Sequence, residues 1–502
     1  MSEPSSVATL NNQGAVLERV ATLHAELSNY DRAFEGYEQA VSIYDKALLV
    51  AGQHVGILQN KGNVLQRIGD LYSVLARSRS ARHNYRGALA AYDKALRRAP
   101  DLIGTYVCKA GTLQSLGELQ VADKEYRKAV DTFFEAIETC EAALHRAPDA
   151  VEVYVTQGTI YQCIASALIE VSGSQEAFDN LERGVQAFKE TINRAPTSLI
   201  GWNNLGNVYA ARGDAHLSSR RYEEALNDYG KAISTFDEVL KRSPGLVMCL
   251  GNKSRALQGV ADSLTAKDRR AEALQKYSEA LAVCLEALQH ASDSVGLLGL
   301  KGNILHKMGT LRLQLDQQST AIDNMSEAVA SLGSALGHAP SQIKLLHNQG
   351  IVLRDLGSLQ WACNRERDAE VSYRMGIKCY DDILERVPGD SGSLVNQAVI
   401  LSFLARLHLS QGAYRKAIEE CRRGLVASNQ VLERHSEVAG VYQNKAAMLI
   451  VLGESQAKLG NTAEARISLK AAIDSLDEAE RRDPGSVATE AKDRLRDALD
   501  RL

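Results

Sequence analysis

The stretch WNNLGNVYAARGD, residues 202–214, places large and small side chains in turn along one face of a helix. Trp202, Gly206, Tyr209 and Gly213 follow one another at intervals of 4, 3 and 4 residues. These intervals bring the four side chains to a single stripe of an α-helix. The glycines in that stripe would let a second helix approach closely while the large residues fill the grooves between the two helices.

The prolines divide the chain at a constant interval. Proline is excluded from helix interiors but tolerated in the first turn, so each proline predicts a joint between two helices. The eight prolines are separated by multiples of 48 residues: Pro4, Pro100, Pro148, Pro196, Pro244, Pro340, Pro388 and Pro484. Gly52, Ser292 and Ser436 fill the three vacant places of this series, and these residue types also end or cap helices.

The same residue classes recur when each 48-residue unit is numbered from its proline or equivalent as position 1. Positions 7 and 14 are large, position 11 is Gly, Ala or Ser, and position 18 is Gly or Ala in all ten units. Position 30 is Ala ten times, position 37 is Ala or Gly ten times, and position 34 is mostly large. The pattern predicts two packed helices in every unit.

This order of large and small residues resembles the tetratricopeptide repeat, a helical hairpin of about 34 residues. The spacings within each helix are those of the family, but two intervals are each longer by a heptad. A heptad adds two turns and nearly restores the direction of the stripe, so we expect both helices to be lengthened, to about 20–22 residues. The alternative is a short first helix that ends at Gly213 and its equivalents and is followed by a loop. Leucines at position 20 favour the long helix.

The predicted fold is therefore all-α: an α-solenoid, or superhelix, of ten helix-turn-helix repeats of tetratricopeptide type with elongated helices. It spans residues 4–483 and is followed by a C-terminal capping helix, 484–502, in which Val487, Ala491, Leu495, Ala498 and Leu502 form a narrow apolar stripe. No separate cap is expected before the first unit. The predicted repeats are 4–51, 52–99, 100–147, 148–195, 196–243, 244–291, 292–339, 340–387, 388–435 and 436–483.

Composition limits the classes of function. The chain has 502 residues, 45% of them apolar, and a formal net charge of −4, which predicts no general attraction to nucleic acid or anionic lipid. No run of 18 apolar residues and no secretory signal is visible, and the eight cysteines form no CxxC pair. We therefore expect a cytoplasmic protein without membrane insertion. No nucleotide-binding, hydrolase or metal motif occurs, so no catalytic residue, cofactor or metal site is predicted.

The resemblance implies a concave groove that is lined mainly by first helices and binds an extended peptide or a partner protein. Carried over by position, its lining is positions 8, 9, 12, 15, 16 and 19 of each unit. Position 9 is asparagine in seven units: Asn12, Asn60, Asn204, Asn252, Asn348, Asn396 and Asn444. Amides both donate and accept, so this series predicts a ladder that holds a ligand backbone. The alternative is that each Asn bonds a neighbouring helix.

The lining becomes apolar in the last three units. The residues concerned are Ile351, Val395, Val399, Phe403, Ile450 and Val451. If they face the groove they form a partner site, and Phe403→Asp would abolish binding without unfolding the protein. The alternative is that the lengthened helices rotate them into the core.

Two further positions have structural interpretations. Position 10 is Lys or Gln in nine units. We expect the aliphatic part of these long side chains to lie on the packed face and their polar ends to reach solvent, rather than to bind an acidic ligand. His24, His216 and His408 share position 21 and are separated by multiples of 192 residues, so they cannot form one site and are expected to be partly buried.

These patterns favour a non-catalytic scaffold or adaptor protein that binds a peptide or partner protein. One alternative is a structural protein whose chains assemble end to end into filaments, although the polar final helix argues against it. The other is a regulatory subunit of a separately encoded enzyme. Sequence does not separate that alternative from an adaptor, because the binding surface would be the same.

Overall fold

The computed structural model describes residues 6–171, 174–486 and 489–501, and all regular structure within these ranges is α-helical. The first helices of successive repeats each begin 48 residues after the one before. They are α1 (Val7–Glu26), α3 (Val55–Val74), α5 (Ile103–Ala122), α7 (Val151–Val171), α9 (Leu199–Ser218), α11 (Val247–Ala266), α13 (Val295–Gln314), α15 (Ile343–Ala362), α17 (Ser391–Ser410) and α19 (Ala439–Lys458). The predicted all-α fold of paired, repeated helices is confirmed.

Each first helix packs against the second helix that follows it. The second helices are α2 (Tyr30–Ala51), α4 (Ser78–Arg98), α6 (Tyr126–Arg146), α8 (Ser174–Arg194), α10 (Tyr222–Arg242), α12 (Arg270–His290), α14 (Gln318–His338), α16 (Glu366–Arg386), α18 (Tyr414–Leu432) and α20 (Thr462–Arg482). A last helix, α21 (Thr489–Arg501), packs against α20 as the predicted cap does.

The first helices are long, as the heptad insertion predicts. Gly69, Gly117 and Gly357 lie inside α3, α5 and α15, and each helix continues for five residues beyond its glycine. The alternative of a short helix followed by a loop is therefore wrong. Leucines at position 20 such as Leu71 and Leu119 are buried, which stabilises the added turns.

The turn inside each hairpin has one recurring geometry. Position 25 adopts a left-handed conformation in the nine repeats whose turn is described, as at Ser28, Arg220 and Gly412. The next N–H donates to the carbonyl five residues earlier, as from Asn29 to His24 at 2.8 Å. This bond satisfies a carbonyl that the end of the helix would otherwise leave unpaired.

The predicted joints agree with these bounds. Turns occur at the SNYD, SQG and LGNT segments, and every described proline lies between a second helix and the helix that follows it. The turn predicted from Ser172, the first mark at Pro4, and Val487 and Leu502 of the capping stripe lie outside the described residues. The division into ten repeats with the boundaries given above stays a prediction.

Aromatic residues of the second helices pack over glycines of the first helices. Phe236 covers Gly206, and Tyr229 covers Gly213, so closely that a Cβ at either glycine would overlap the ring. The alanines at position 30 are completely buried in all ten repeats. Close packing of this kind explains why position 11 never exceeds serine in size.

The chain divides into two compact units, Met1–Pro244 and Gly245–Leu502. The first contains α1–α10 and the second α11–α21. Inside each unit a second helix packs against the first helix of the next repeat. The first helix receives this contact at positions 13, 17 and 20, as Val64, Ile68 and Leu71 do in the core cluster that they share with α2.

Candidate functional site

The first helices line the narrower side of each unit. First helices of consecutive repeats contact one another inside each unit, whereas second helices of consecutive repeats make no such contact in the part of the chain that the structure describes. The side on which neighbouring helices approach more closely is the concave one, and such surfaces carry binding in repeat proteins. We call positions 8, 9, 12, 15, 16 and 19 of the first helices the first-helix face.

The asparagines at position 9 bond to the protein itself in several repeats. Asn60 Nδ2 donates to Asn11 Oδ1 at 3.0 Å, and Asn348 Nδ2 donates to Asn303 Oδ1 at 3.1 Å. Both bonds cross from one first helix to the next. Each amide retains a second N–H and an oxygen, so these contacts orient the side chain without using all of its bonding groups.

The other asparagines do not form a continuous ladder of such bonds. Asn396 Nδ2 donates to the carbonyl of Gly392 in its own helix at 3.0 Å, and Asn204 accepts from Asn203 at 3.4 Å. Asn12 is exposed, and Asn252 and Asn444 are partly buried. A role for the series in binding a ligand stays a prediction.

A row of charged side chains connects first helices of the second unit. Lys307 Nζ donates to Asp262 Oδ2 at 2.7 Å. His306 Nε2 lies 2.9 Å from Asp355 Oδ2, and Arg354 Nε donates to the other oxygen of Asp355 at 2.8 Å. Burial raises the pKa of Asp355, but the bonds to His306 and Arg354 outweigh it and hold the pKa below its ordinary value. Asp355 is therefore charged at neutral pH. We call these five residues the polar row.

The six predicted apolar residues occupy two different environments. Val451 is 4% exposed and belongs to a core cluster, against which Val395 and Ile450 also pack. The burial of Val451 does not support the expectation that it lines the groove, because residues of neighbouring helices pack around it. Ile351 and Val399 are partly buried, and neither is a member of the three core clusters described for α13–α21.

Phe403 has an intermediate position. It is partly buried, it packs against the core cluster of α15–α17, and its ring lies 6.0 Å from that of Tyr373 in a stacked arrangement. Because this aromatic contact contributes to stability, we expect Phe403→Asp to destabilise the fold as well as to change the surface. Ile351 and Val399 are the better probes of binding.

The position 10 side chains meet acidic groups of the protein. Lys61 Nζ lies 2.5 Å from Asp45 Oδ1, and Lys109 Nζ lies 2.8 Å from Asp93 Oδ1. In both pairs the carboxylate is at position 42 of the preceding repeat. The lysines therefore join neighbouring repeats through partly exposed ion pairs, each of which contributes about 0.2–1 kcal/mol.

Sequence reasoning missed the polar contacts inside the hairpins. The hydroxyl of Tyr85 donates to Asp70 at 2.8 Å, and that of Tyr229 donates to Asp214 at 2.5 Å. Burial raises the pKa of Asp70. The sequence contained a pattern that could have predicted these bonds. Asp occurs at position 19 in three units, and each of these units has Tyr at position 34. The third pair is Asp262 with Tyr277.

A buried ionic cluster lies in the fifth repeat. Arg212 donates two hydrogen bonds to Asp228, from Nε at 2.6 Å and from Nη2 at 2.7 Å. Asp228 is 4% exposed and Arg212 is 13% exposed. His216 Nε2 lies 3.4 Å from Asp228 Oδ2, and the His216 ring lies 4.5 Å from that of Phe178. The expectation that this histidine is a partly buried helix residue is confirmed.

This cluster predicts a pH dependence of stability. Burial, together with the cations of Arg221 and Arg212, lowers the pKa of His216 despite the attraction of Asp228 and Glu224. In the unfolded chain the pKa of a histidine is about 6.5, which is higher than the pKa of His216 in the folded protein. Below about pH 6.5 the unfolded state therefore binds more protons than the folded state, and the free energy of unfolding falls as the pH is lowered.

We expect His216→Phe, which retains a ring to stack on Phe178, to reduce the loss of unfolding free energy between about pH 7 and pH 5. Urea unfolding at several pH values measures this slope. His24→Phe is the matched control, since that partly buried histidine holds the same position in the first repeat. Equal slopes for wild type and His216→Phe would contradict the assignment.

One described helix, α17, is long and apolar enough to cross a membrane, with a mean hydropathy of 1.2 over its 18-residue window. Of that window, 61% is buried inside the protein, including Leu401, Leu404 and Leu407. Burial of this extent is typical of a core helix packed between two repeats.

Comparison with known proteins agrees with the repeated hairpin. The model of the family described as tetratricopeptide repeat matches residues 206–237, which contain the second half of α9 and most of α10. None of the curated proteins matches the chain.

The solved structures that match this chain have low sequence identity to it and TM-scores below 0.5. A signal-transduction ATPase with a tetratricopeptide repeat sensor from Pyrococcus horikoshii is 14% identical, with 89% of this chain and 55% of that chain covered and a TM-score of 0.46. Yeast Tom70 is 12% identical over 97% of this chain and 95% of its own, with a TM-score of 0.33. The nuclear import adaptor Nro1 of S. pombe is 12% identical over 57% and 95%, with a TM-score of 0.41.

Proposed function

Since this chain is a repeat protein of the tetratricopeptide type, a fold that generally serves as a non-catalytic protein-interaction scaffold, we propose that it is an adaptor. It binds a peptide or partner protein on the first-helix face of its second unit. The observation that carries the proposal is the occurrence of Ile351 and Val399 on this concave face, outside the described core clusters and beside the polar row. The proposal includes a cytoplasmic location and no nucleic-acid or membrane partner; the near-neutral charge supports only the lack of a general attraction to nucleic acid or anionic lipid.

The apolar part of the site is formed by two neighbouring first helices. Ile351 on α15 and Val399 on α17 hold position 12 in consecutive repeats. Phe403 follows Val399 by four residues and therefore lies on the same side of α17. Together they offer a partner one short apolar strip that crosses from α15 to α17, suited to a few apolar side chains of an extended or helical segment.

Polar groups flank this strip. Asn348 precedes Ile351 by three residues and Asp355 follows it by four, so all three lie along one side of α15. Asn348 is oriented by its bond to Asn303, and Asp355 by His306 and Arg354. Preoriented groups lose little conformational freedom when a ligand binds, which favours affinity for a peptide backbone running beside the apolar strip.

A peptide library displayed on phage tests the site, because selection of binding peptides requires no identified partner. Peptides selected on the full chain are expected to contain apolar anchor residues. Their affinity should fall by about tenfold or more when Val399→Asp or Ile351→Asp places a charge in the strip. Val426→Asp is the matched control, because Val426 is 58% exposed on second helix α18 of the same unit.

Two outcomes would count against the proposal. One is selected peptides that bind Val399→Asp and Ile351→Asp as tightly as the wild type. The other is an equal loss of affinity in Val426→Asp. Circular dichroism of each variant establishes that helix content is unchanged, so that a loss of binding reports on the surface.

A further inference from the structure

Helix α1 exposes an apolar stripe. Val16, Val20 and Leu23 are 61%, 45% and 59% exposed, and Leu27, directly after the helix, is 78% exposed. They are separated by 4, 3 and 4 residues, the spacing of the contact seam of a coiled coil. Isolated exposed apolar residues are ordinary, but three in one seam of a single helix, continued by Leu27 directly after it, form a contiguous strip.

The other repeats show what this face of a first helix does. Val16, Val20 and Leu23 hold positions 13, 17 and 20 of their repeat. Positions 13 and 20 are buried in all eight first helices that follow another repeat in the same unit. In α17 the equivalent Ile400, Leu404 and Leu407 are completely buried. The seam is therefore a helix-packing surface throughout the molecule, and on α1 it has no helix against it in the described structure.

Small residues on the covering helix accept this face elsewhere. A Cβ added to Gly184 on α8 would lie 3.3 Å from Val208 at position 13 of α9, and one added to Gly376 on α16 would lie 2.9 Å from Ile400 at position 13 of α17. A helix that covers α1 must therefore either carry small residues, so that its backbone approaches α1 closely, or place its own side chains between those of the seam.

We propose that the exposed seam of α1 pairs with the same seam of a second copy of this chain, the two helices running antiparallel. The spacing is self-complementary, since a two-fold axis that brings Val20 opposite Leu23 of the second copy also brings Val16 opposite its Leu27. This proposal is independent of the binding site on the second unit.

The charges beside the seam fit the antiparallel arrangement. Arg19 and Glu26 are exposed, carry no ion pair in the described structure, and stand seven residues apart on the same side of the seam. In the antiparallel pair Arg19 lies beside Glu26 of the second copy, and the symmetry forms this contact twice. In a parallel pair in register, the flank of the seam that carries Arg19 and Glu26 would face the opposite flank of the second helix, so the contact between Arg19 and Glu26 would not form.

Such a pairing closes on itself. An interface made of the same patch on both copies produces a dimer and leaves no free patch for a third copy, unlike a head-to-tail contact. At the other end of the chain α21 packs against α20. The expected assembly is therefore a dimer and not the filament considered from the sequence.

Light scattering coupled to size exclusion, over a range of concentrations, tests the pairing. The wild type should approach about twice the chain mass of 54.6 kDa, and Val20→Glu/Leu23→Glu should return the mass to 54.6 kDa at every concentration. Both residues are exposed and glutamate favours helix, so the fold is retained. Val371→Glu and Ile467→Glu, at positions 58% and 70% exposed on α16 and α20, are matched controls that should remain dimeric.

Charge reversal tests the orientation separately. Arg19→Glu and Glu26→Arg should each weaken dimerisation by roughly tenfold, and the double reversal should restore it. A wild-type mass of 54.6 kDa at all concentrations would overturn the proposal. A dimer that survives Val20→Glu/Leu23→Glu would overturn it as well, by placing the interface elsewhere. Failure of the double reversal to restore pairing would rule out the antiparallel arrangement.

Discussion

Phe236→Ala is expected to lower the free energy of unfolding by about 3–5 kcal/mol. Phe236 is completely buried in α10, and its ring covers Gly206 of α9. Removal of the ring leaves a cavity that the two helices cannot close, because adjacent aromatic layers hold them at their present separation. The loss should therefore be near the upper end of the range for large-to-small substitutions in a protein core.

The repeats themselves suggest a compensating change. Where position 41 is aromatic, position 11 is glycine, as in the pairs Gly14 with Tyr44, Gly62 with Tyr92, Gly158 with Phe188, Gly206 with Phe236, and Gly350 with Tyr380. Where position 41 is Cys or Ser, position 11 is larger, as in Ala110 with Cys140, Ser254 with Cys284, and Ala398 with Ser428. A larger side chain at position 41 is thus accompanied by a smaller residue at position 11, so the two positions together fill a similar volume.

Gly206→Ala alone should destabilise by about 1–3 kcal/mol through overlap with the ring. Gly206→Ala/Phe236→Cys reproduces the pair found in the third repeat and should be more stable than the sum of its single substitutions by about 1 kcal/mol or more. Urea unfolding measures the totals, and hydrogen exchange in α9 and α10 reports the local effect, since repeat arrays need not unfold in two states.

The control for this prediction is Phe134→Ala. Phe134 is 38% exposed on α6, so its truncation should cost much less than that of Phe236. Equal losses for the two substitutions, or strictly additive effects at Gly206 and Phe236, would show that the proposed contact does not determine the packing.

The second large effect is expected at the buried ionic cluster. Asp228→Ala should lower the free energy of unfolding by about 3–5 kcal/mol, because it leaves the guanidinium of Arg212 largely buried without its bidentate partner. Glu182 remains near Arg212 but is itself half exposed, so it compensates only in part. Thermal and urea unfolding measure the loss.

The exposed pair Arg269–Glu272 provides the comparison. Its side chains are 43% and 56% exposed, so Glu272→Ala should cost no more than about 1 kcal/mol. Arg212→Met/Asp228→Leu removes both charges and should be more stable than Asp228→Ala, because no unpaired charge remains. The reasoning fails if Asp228→Ala costs as little as Glu272→Ala.

Much of the fold could be predicted from the sequence. The 48-residue spacing of the prolines located the joints, and the heptad length of the two insertions required continuous helices, as α3, α5 and α15 show. The buried alanines at position 30 were predicted as well. These features depend on local geometry, since helix periodicity and the backbone restriction of proline act within a few residues.

The candidate site was predicted less completely. Val399 and Val451 are both first-helix valines, yet Val399 stays outside the described core clusters while Val451 is buried in one. They hold positions 12 and 16 of neighbouring repeats, and periodicity assigned both to the same face. Their environments differ because burial depends on the side chains that the adjacent helices contribute.

The amino-acid sequence by itself determined the number, length and pairing of the helices, because the residues that specify them are close together in the chain. Only the tertiary structure decided which side chains of the first helices remain accessible to a binding partner. Asn303, His306 and Tyr373, which contact Asn348, Asp355 and Phe403 respectively, lie on other helices and are between 30 and 49 residues away in the chain. Contacts over such separations depend on how the helices pack, which the period of one helix does not contain.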